Sequence, residues 1–188
     1  MDALLSSLVA ALLAEWGDRT QLFVIVLAAR YVRPVPIVAG LAVAALANSL
    51  IAAYAGHFAT DLIPVRAASL LVALALLLAA GGSLLRRRPP DMGMGWRFPA
   101  FVTAAIALFL LEFGDKTQFL TFALAARYDS IALTAAGATL GILAANIPAA
   151  ILGNRLGAVV PVQPLRYAVA CLFLVTGFIV AVNALELV

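Results

Sequence analysis

Charge is what this chain has least of. Of its 188 residues only 11% are Asp, Glu, Lys or Arg, while 65% are hydrophobic; a soluble globular domain carries ~25% charge. That shortage excludes a soluble fold and points to an all-α membrane protein, with length for about six spans at ~20 residues each and little left for a soluble domain. Histidine is scarce as well. His57 is the only one, and it falls outside the apolar runs, which argues against an intramembrane metalloenzyme. Cys171 is the only cysteine, so no intrachain disulfide and no thiolate metal centre can form; within the last apolar run it reads as a small packed hydrophobe. The basic residues flank apolar runs instead of gathering into a patch, so nucleic acid is not an expected partner.

The few charges present fall where they are most costly. Glu15-Trp16-Gly17-Asp18-Arg19-Thr20-Gln21 lies in the middle of a run, 3–29, that holds no other charge. A helix there would place Glu15 and Asp18 near the bilayer midplane, at a cost of roughly 3 kcal/mol per charge, and such residues mark sites that use them. The string returns as Glu112-Phe113-Gly114-Asp115-Lys116-Thr117-Gln118. Shifted by 97 residues, 15–31 aligns without a gap on 112–128 with ten identities in seventeen positions. The same shift pairs Gly40 with Gly137, Gly56 with Gly153, and Ser49 with Asn146.

The apolar pattern predicts helices over 3–29, 35–55, 65–85, 98–126, 130–152 and 165–185, with a polar turn at 56–61 and a kink at Pro148. The expected organisation is repeat 1 at 1–88, a central cytoplasmic loop at 89–97 and repeat 2 at 98–188. Three spans per repeat is an odd number, so the second copy enters the membrane upside down, the inverted-repeat plan of secondary transporters. Residues 1–14 read as the first half of a helix and not as a leader, because Asp2 stands where a basic segment belongs. One side of six spans would carry Arg30, Arg33, Arg86, Arg87, Arg88, Arg97, Arg155 and Arg166, the other only Arg66 and Arg127. The positive-inside rule then predicts both termini extracytoplasmic; the expected location of this multi-pass chain is a bacterial inner membrane. Trp96, Tyr31, Tyr128 and Tyr167 fall where an interfacial aromatic belt is expected.

On a continuous helix Glu15 and Asp18 share a face, Gln21 extends that stripe, and Arg19 reaches back to Glu15; Glu112, Asp115, Gln118 and Lys116 repeat the pattern. Gly17 and Gly114 leave room for another backbone or an ion, or let the helix loosen. Antiparallel packing of the two motif helices would join four carboxylates, a hard-oxygen cluster suited to Ca²⁺, Mn²⁺ or Mg²⁺. With Arg19 and Lys116 as counter-charges the sum is −2, the complement of one divalent cation, and protons compete with metal for the same oxygens. Thr20, Thr117 and Gln118 either supply adjacent oxygens or, for the two threonines, bond back to their own helices. Asn48, Ser49 and Asn146 serve either as interhelical hydrogen-bond partners or as further ligands. The competing expectation is that the motif charges are salt bridges locking helices together.

Two copies of Glu-x-Gly-Asp-(Lys/Arg)-Thr in six spans resemble uncharacterised protein family 0016, small cation/proton exchangers, over essentially the whole chain. The resemblance implies Mn²⁺ and/or Ca²⁺ exchanged for protons, metal as transported substrate and no prosthetic group, with Glu15, Asp18, Glu112 and Asp115 as ligands. It implies a transporter and not an enzyme. This chain lacks the extended acidic central linker of many relatives. A passive cation channel is the alternative transporter, and a homo-oligomer is left open.

Overall fold

The computed structural model describes residues 1–85, 97–156 and 161–186. Among the described residues there are eight α-helices, one 3-10 turn and no strand: α1 Asp2–Glu15, α2 Arg19–Tyr31, α3 Pro34–Thr60, α4 Val65–Leu84, α5 Ala100–Glu112, α6 Lys116–Tyr128, α7 Ile131–Leu152, the turn Gly153–Arg155, and α8 Val162–Ala184. Four of these, α3, α4, α7 and α8, are long and apolar enough to cross a membrane. Most of the central loop, with Arg86, Arg87, Arg88 and Trp96, lies outside the described residues.

The first and fourth expected spans are not continuous helices. Each is broken at its motif into two half-helices of 13 or 14 residues, ~20 Å apiece. Gly17 and Gly114 explain the break: both adopt positive φ, +70° and +76°, a conformation that glycine alone enters freely. Asp18 and Asp115 then stand as the extended N-cap residues of α2 and α6, where an acidic side chain suits the orphan N–H groups and the helix dipole.

Other boundaries also differ from expectation. α3 runs on to Thr60, so the turn after it is confined to 61–64, and Gly56 and His57 are helical. His57 pairs with Asp129 at 2.7 Å, tying the end of α3 to the end of α6. α8 begins at Val162, and α7 passes through Pro148. Cys171 is exposed, not packed, because α8 buries only one narrow face, carrying Val169, Ala170, Phe173 and Gly177.

Two helix pairs related by the offset of 97 pack against each other. α1 packs on α7, and α5 packs on α3. Gly137 of α7 lies against the Leu4 carbonyl of α1, while Gly40 of α3 lies so near the Phe101 carbonyl of α5 that a Cβ would come within 2.6 Å of it. α2 and α6 both end in a left-handed residue, Val32 and Asp129, whose N–H reaches the carbonyls of Ala28 and Ala125. These close helix crossings rest on small residues, as packing without a hydrophobic drive requires.

Candidate metal centre

The two breaks meet at the centre of the bundle. Carboxylate oxygens of Glu15, Asp18 and Asp115 come within 4.8 Å of one another, with Glu15 and Asp18 buried and Asp115 half-buried. Glu15 is the last residue of α1 and Asp18 the first before α2, so one helix ends and the next begins between them. Glu15 accepts hydrogen bonds from Thr117 Oγ1 at 2.6 Å and from Asn146 Nδ2 at 3.3 Å. Asp18 accepts from the Arg19 backbone at 2.8 Å and pairs with the Lys116 ammonium of the other motif. That ion pair is fully within the protein, at 2% and 7% side-chain exposure. Removing one partner of such a pair leaves an uncompensated buried charge and costs ~3–5 kcal/mol.

The expected cluster of four is therefore three in this conformation. Glu112 is buried but apart from the trio, in a small cavity of about 10 Å³ lined with Asn48, Ser49, Thr117, Gln118 and Thr121. Beside it, Ser49 Oγ has no hydrogen-bond partner among the described residues. A space of that size takes about one water-sized particle. Within each motif the glutamine turns back to brace the break: the Gly17 N–H donates to Gln21 Oε1 at 2.9 Å, and the Gly114 N–H to Gln118 Oε1 at 2.5 Å. Gln21 also donates to the Ala145 carbonyl at 2.8 Å, and Asn48 to the Phe109 carbonyl at 3.1 Å. Thr20 is buried near the break.

Two geometric expectations fail for one reason, the break in the helix. Arg19 does not reach Glu15; it is exposed, and Glu15 takes its partners from α6 and α7. Lys116 does not pair with Glu112 four residues earlier, but with Asp18 across the motifs. Sequence reasoning also missed two residues. Thr121 lines the Glu112 cavity one turn after Thr117; as a polar residue where repeat 1 has Val24 it was visible as a departure from the repeat. Arg166 lies across Gly17, and no sequence signal marks it, because its counterpart at the offset is Ser69.

Comparison with known proteins decides the family. Divalent cation/proton antiporter GDT1 matches twice, over residues 3–90 and 100–187. The chain belongs to this antiporter family. It is 36% identical over 183 residues to a protein of Vibrio cholerae serotype O1 (strain ATCC 39541 / Classical Ogawa 395 / O395) named "Putative manganese exporter", an alignment covering 96% of this chain and 91% of that protein. No solved structure matches it significantly. Membership in a transporter family, with four membrane-length apolar helices, makes it an integral membrane protein. The exposed Leu172, Leu174, Phe178 and Ile179 of α8 are then lipid-facing. The exchanger family that the doubled motif resembles is the one matched.

Proposed function

We propose that this chain exchanges a divalent cation for protons, with Mn²⁺ as the first substrate and Ca²⁺ as a second, and exports the metal from the cytoplasm. The observation that carries the proposal is the meeting of Glu15, Asp18 and Asp115 oxygens within 4.8 Å at two facing helix breaks. Broken helices line the ion sites of secondary transporters, where freed carbonyls and acidic side chains replace the hydration shell. Three carboxylates and the Lys116 ammonium sum to −2, matching one divalent cation, and all-oxygen ligands suit Mn²⁺ and Ca²⁺. The name of the Vibrio cholerae relative favours Mn²⁺.

The proposed architecture is six spans as two inverted repeats of three, α1–α2, α3 and α4 against α5–α6, α7 and α8, with the cation at the midplane. The matched glycine crossings and left-handed caps at offset 97 support this reading. Under the two-fold relation Glu112 takes the place of Glu15 when the site faces the opposite side, and Ser49 takes that of Asn146.

Metal binding requires deprotonated carboxylates, so protonation removes the charge that holds the cation. The sign follows: metal affinity falls as pH falls, and metal is released on the side from which protons arrive. In liposomes with an imposed pH gradient, Mn²⁺ should accumulate in the more acidic compartment, and collapsing the gradient should stop it. Mn²⁺ movement indifferent to the gradient would favour a channel and defeat exchange.

With eight basic residues against two, both termini are proposed to be extracytoplasmic. An Arg97→Cys variant in a Cys171→Ser background should resist a membrane-impermeant thiol reagent in intact cells and react in inverted vesicles. Labelling in intact cells would reverse the orientation.

A further inference from the structure

Arginines tie α4 and α8 together at both ends. Arg166, near the start of α8, donates from Nε and Nη2 to the Ser83 carbonyl at 3.2 and 2.8 Å, and from Nη2 to the Leu85 carbonyl as well. These are the carbonyls that the end of α4 leaves without intrahelical donors. At the opposite end Arg66, in the first turn of α4, donates to the Ala184 carbonyl of α8 at 2.6 Å and lies 3.6 Å from the Glu186 carboxylate. Midway, Gly177 of α8 sits against Leu76 and Leu77 of α4, with a Cβ there 3.1 Å from each. Two long helices fixed at both ends and packed closely between make one stiff body.

That body covers the two motifs unequally. At the first motif the aliphatic stem of Arg166 and the Val162 side chain cross the break: a Cβ on Gly17 would lie 2.7 Å from Arg166 Cγ and 2.7 Å from Val162 Cγ1. Gly17 is buried, and Glu15 and Asp18 beside it are 0% and 3% exposed. At the second motif the offset of 97 makes Val65 and Ser69 of α4 the counterparts of Val162 and Arg166. Yet among the described residues nothing lies within 4 Å of a Cβ built on Gly114. Gly114 is exposed, and a cleft of about 520 Å³ reaches Asp115 and Lys116 past Leu78, Phe119 and Phe122. Among the described residues, one motif is covered and its repeat partner is not.

Resting on the exchange reading, we infer that the α4–α8 pair is the element that moves during exchange and that Arg166 closes one side of the ion path. The guanidinium is the anchor, on the carbonyls of α4; the stem is the cover, over Gly17. Arg166 is thus a positioning residue and touches no cation. In the opposite state the pair rocks so that the Val65–Ser69 turn covers Gly114 while Arg166 lifts from Gly17. Such rigid-body rocking about a fixed site is how packed elements with two discrete arrangements switch.

The test uses spin labels at Arg33→Cys and Gln163→Cys, exposed positions near the start of α3 and of α8, in a Cys171→Ser background. With Arg166 present, one short distance should dominate. Arg166→Ala and Arg166→Met each lose charge-assisted hydrogen bonds and should move the ratio of long to short distances about tenfold. Arg166→Lys, which keeps a cation but not the fork, should fall between. In liposomes without a pH gradient, the Ala variant should leak metal faster than the parent. Distance distributions identical to the parent in both the Ala and the Met variant would overturn the closure role, and the Met and Lys variants carry the test if the Ala variant does not fold. Because distances are read without metal flux, a parent protein that moves no metal would count against exchange, while the distances still decide the role of Arg166.

Discussion

Asp18→Asn should abolish metal exchange. The substitution keeps the volume at the N-cap of α2 and removes the carboxylate charge at the point where both motifs meet. Losing even a supporting partner of a metal costs 10- to 100-fold in affinity, so loss of a proposed ligand should cut Mn²⁺ exchange by about a hundredfold or more. Asp18 also holds the Lys116 ammonium. The variant therefore leaves that ammonium with an amide oxygen in place of a carboxylate and should lose some stability as well, which is why folding must be checked by monodispersity in detergent. Asp115→Asn, Glu15→Gln and Glu112→Gln should be similarly severe, whereas Ser49→Ala, removing one hydroxyl beside Glu112, should be milder. The measurement is Mn²⁺ and Ca²⁺ flux into liposomes at several internal and external pH values. A folded Asp18→Asn protein that still exchanges metal would remove Asp18 from the site.

Gly137→Leu should prevent α1 and α7 from packing. A side chain at 137 points at Ser7 Oγ and at backbone, the Leu4 carbonyl, and the carbonyl cannot withdraw without separating the helices. Overpacking costs ~1–3 kcal/mol where side chains can adjust; against backbone the cost should reach the upper end or beyond, with a large fall in thermal stability. Gly40→Leu should behave alike, since its Cβ would lie 2.6 Å from the Phe101 carbonyl and 2.7 Å from Ala104 Cβ. Gly81→Leu supplies the control: among the described residues nothing lies within 4 Å of a Cβ there, and replacing a helical glycine should be neutral or slightly stabilising. Thermal unfolding of the purified proteins in one detergent reads all three. Equal melting temperatures for Gly137→Leu and Gly81→Leu would mean that α1 and α7 do not cross as described.

Much of the fold was legible because lipid leaves little freedom. Apolar runs of membrane length, prolines at 34 and 36, and a gap-free repeat identify where helices lie, and backbone groups without water must bond within them. The ends were less legible. α3 continues through Gly56 and His57 because Gly56 packs against α6, where a Cβ would lie 2.8 Å from Ala125 Cβ, and that tertiary contact outweighs the turn propensity of glycine. Cys171 looked buried in an apolar run, yet apolarity in such a chain marks lipid contact as readily as core.

The sequence by itself determined the family, the doubled motif and the residues that carry its charge. Those are matters of composition and order: a membrane tolerates acids at its centre only at a cost, and two copies at one offset identify which acids meet it. Tertiary structure alone decided how they meet. A positive φ at Gly17 and Gly114 breaks both helices, so Glu15 and Asp18 belong to separate half-helices, and the regular three- and four-residue spacings no longer say who touches whom. Partners then come from across the bundle, Lys116 for Asp18 and Thr117 with Asn146 for Glu15, while Glu112 stands apart. Inequality between the motifs is also invisible in a repeat, because nearly identical strings describe both. It arises from where the α4–α8 pair rests: α4 packs along α6, yet the side chains that cover a motif glycine are those over Gly17, which is a property of packing and not of either string.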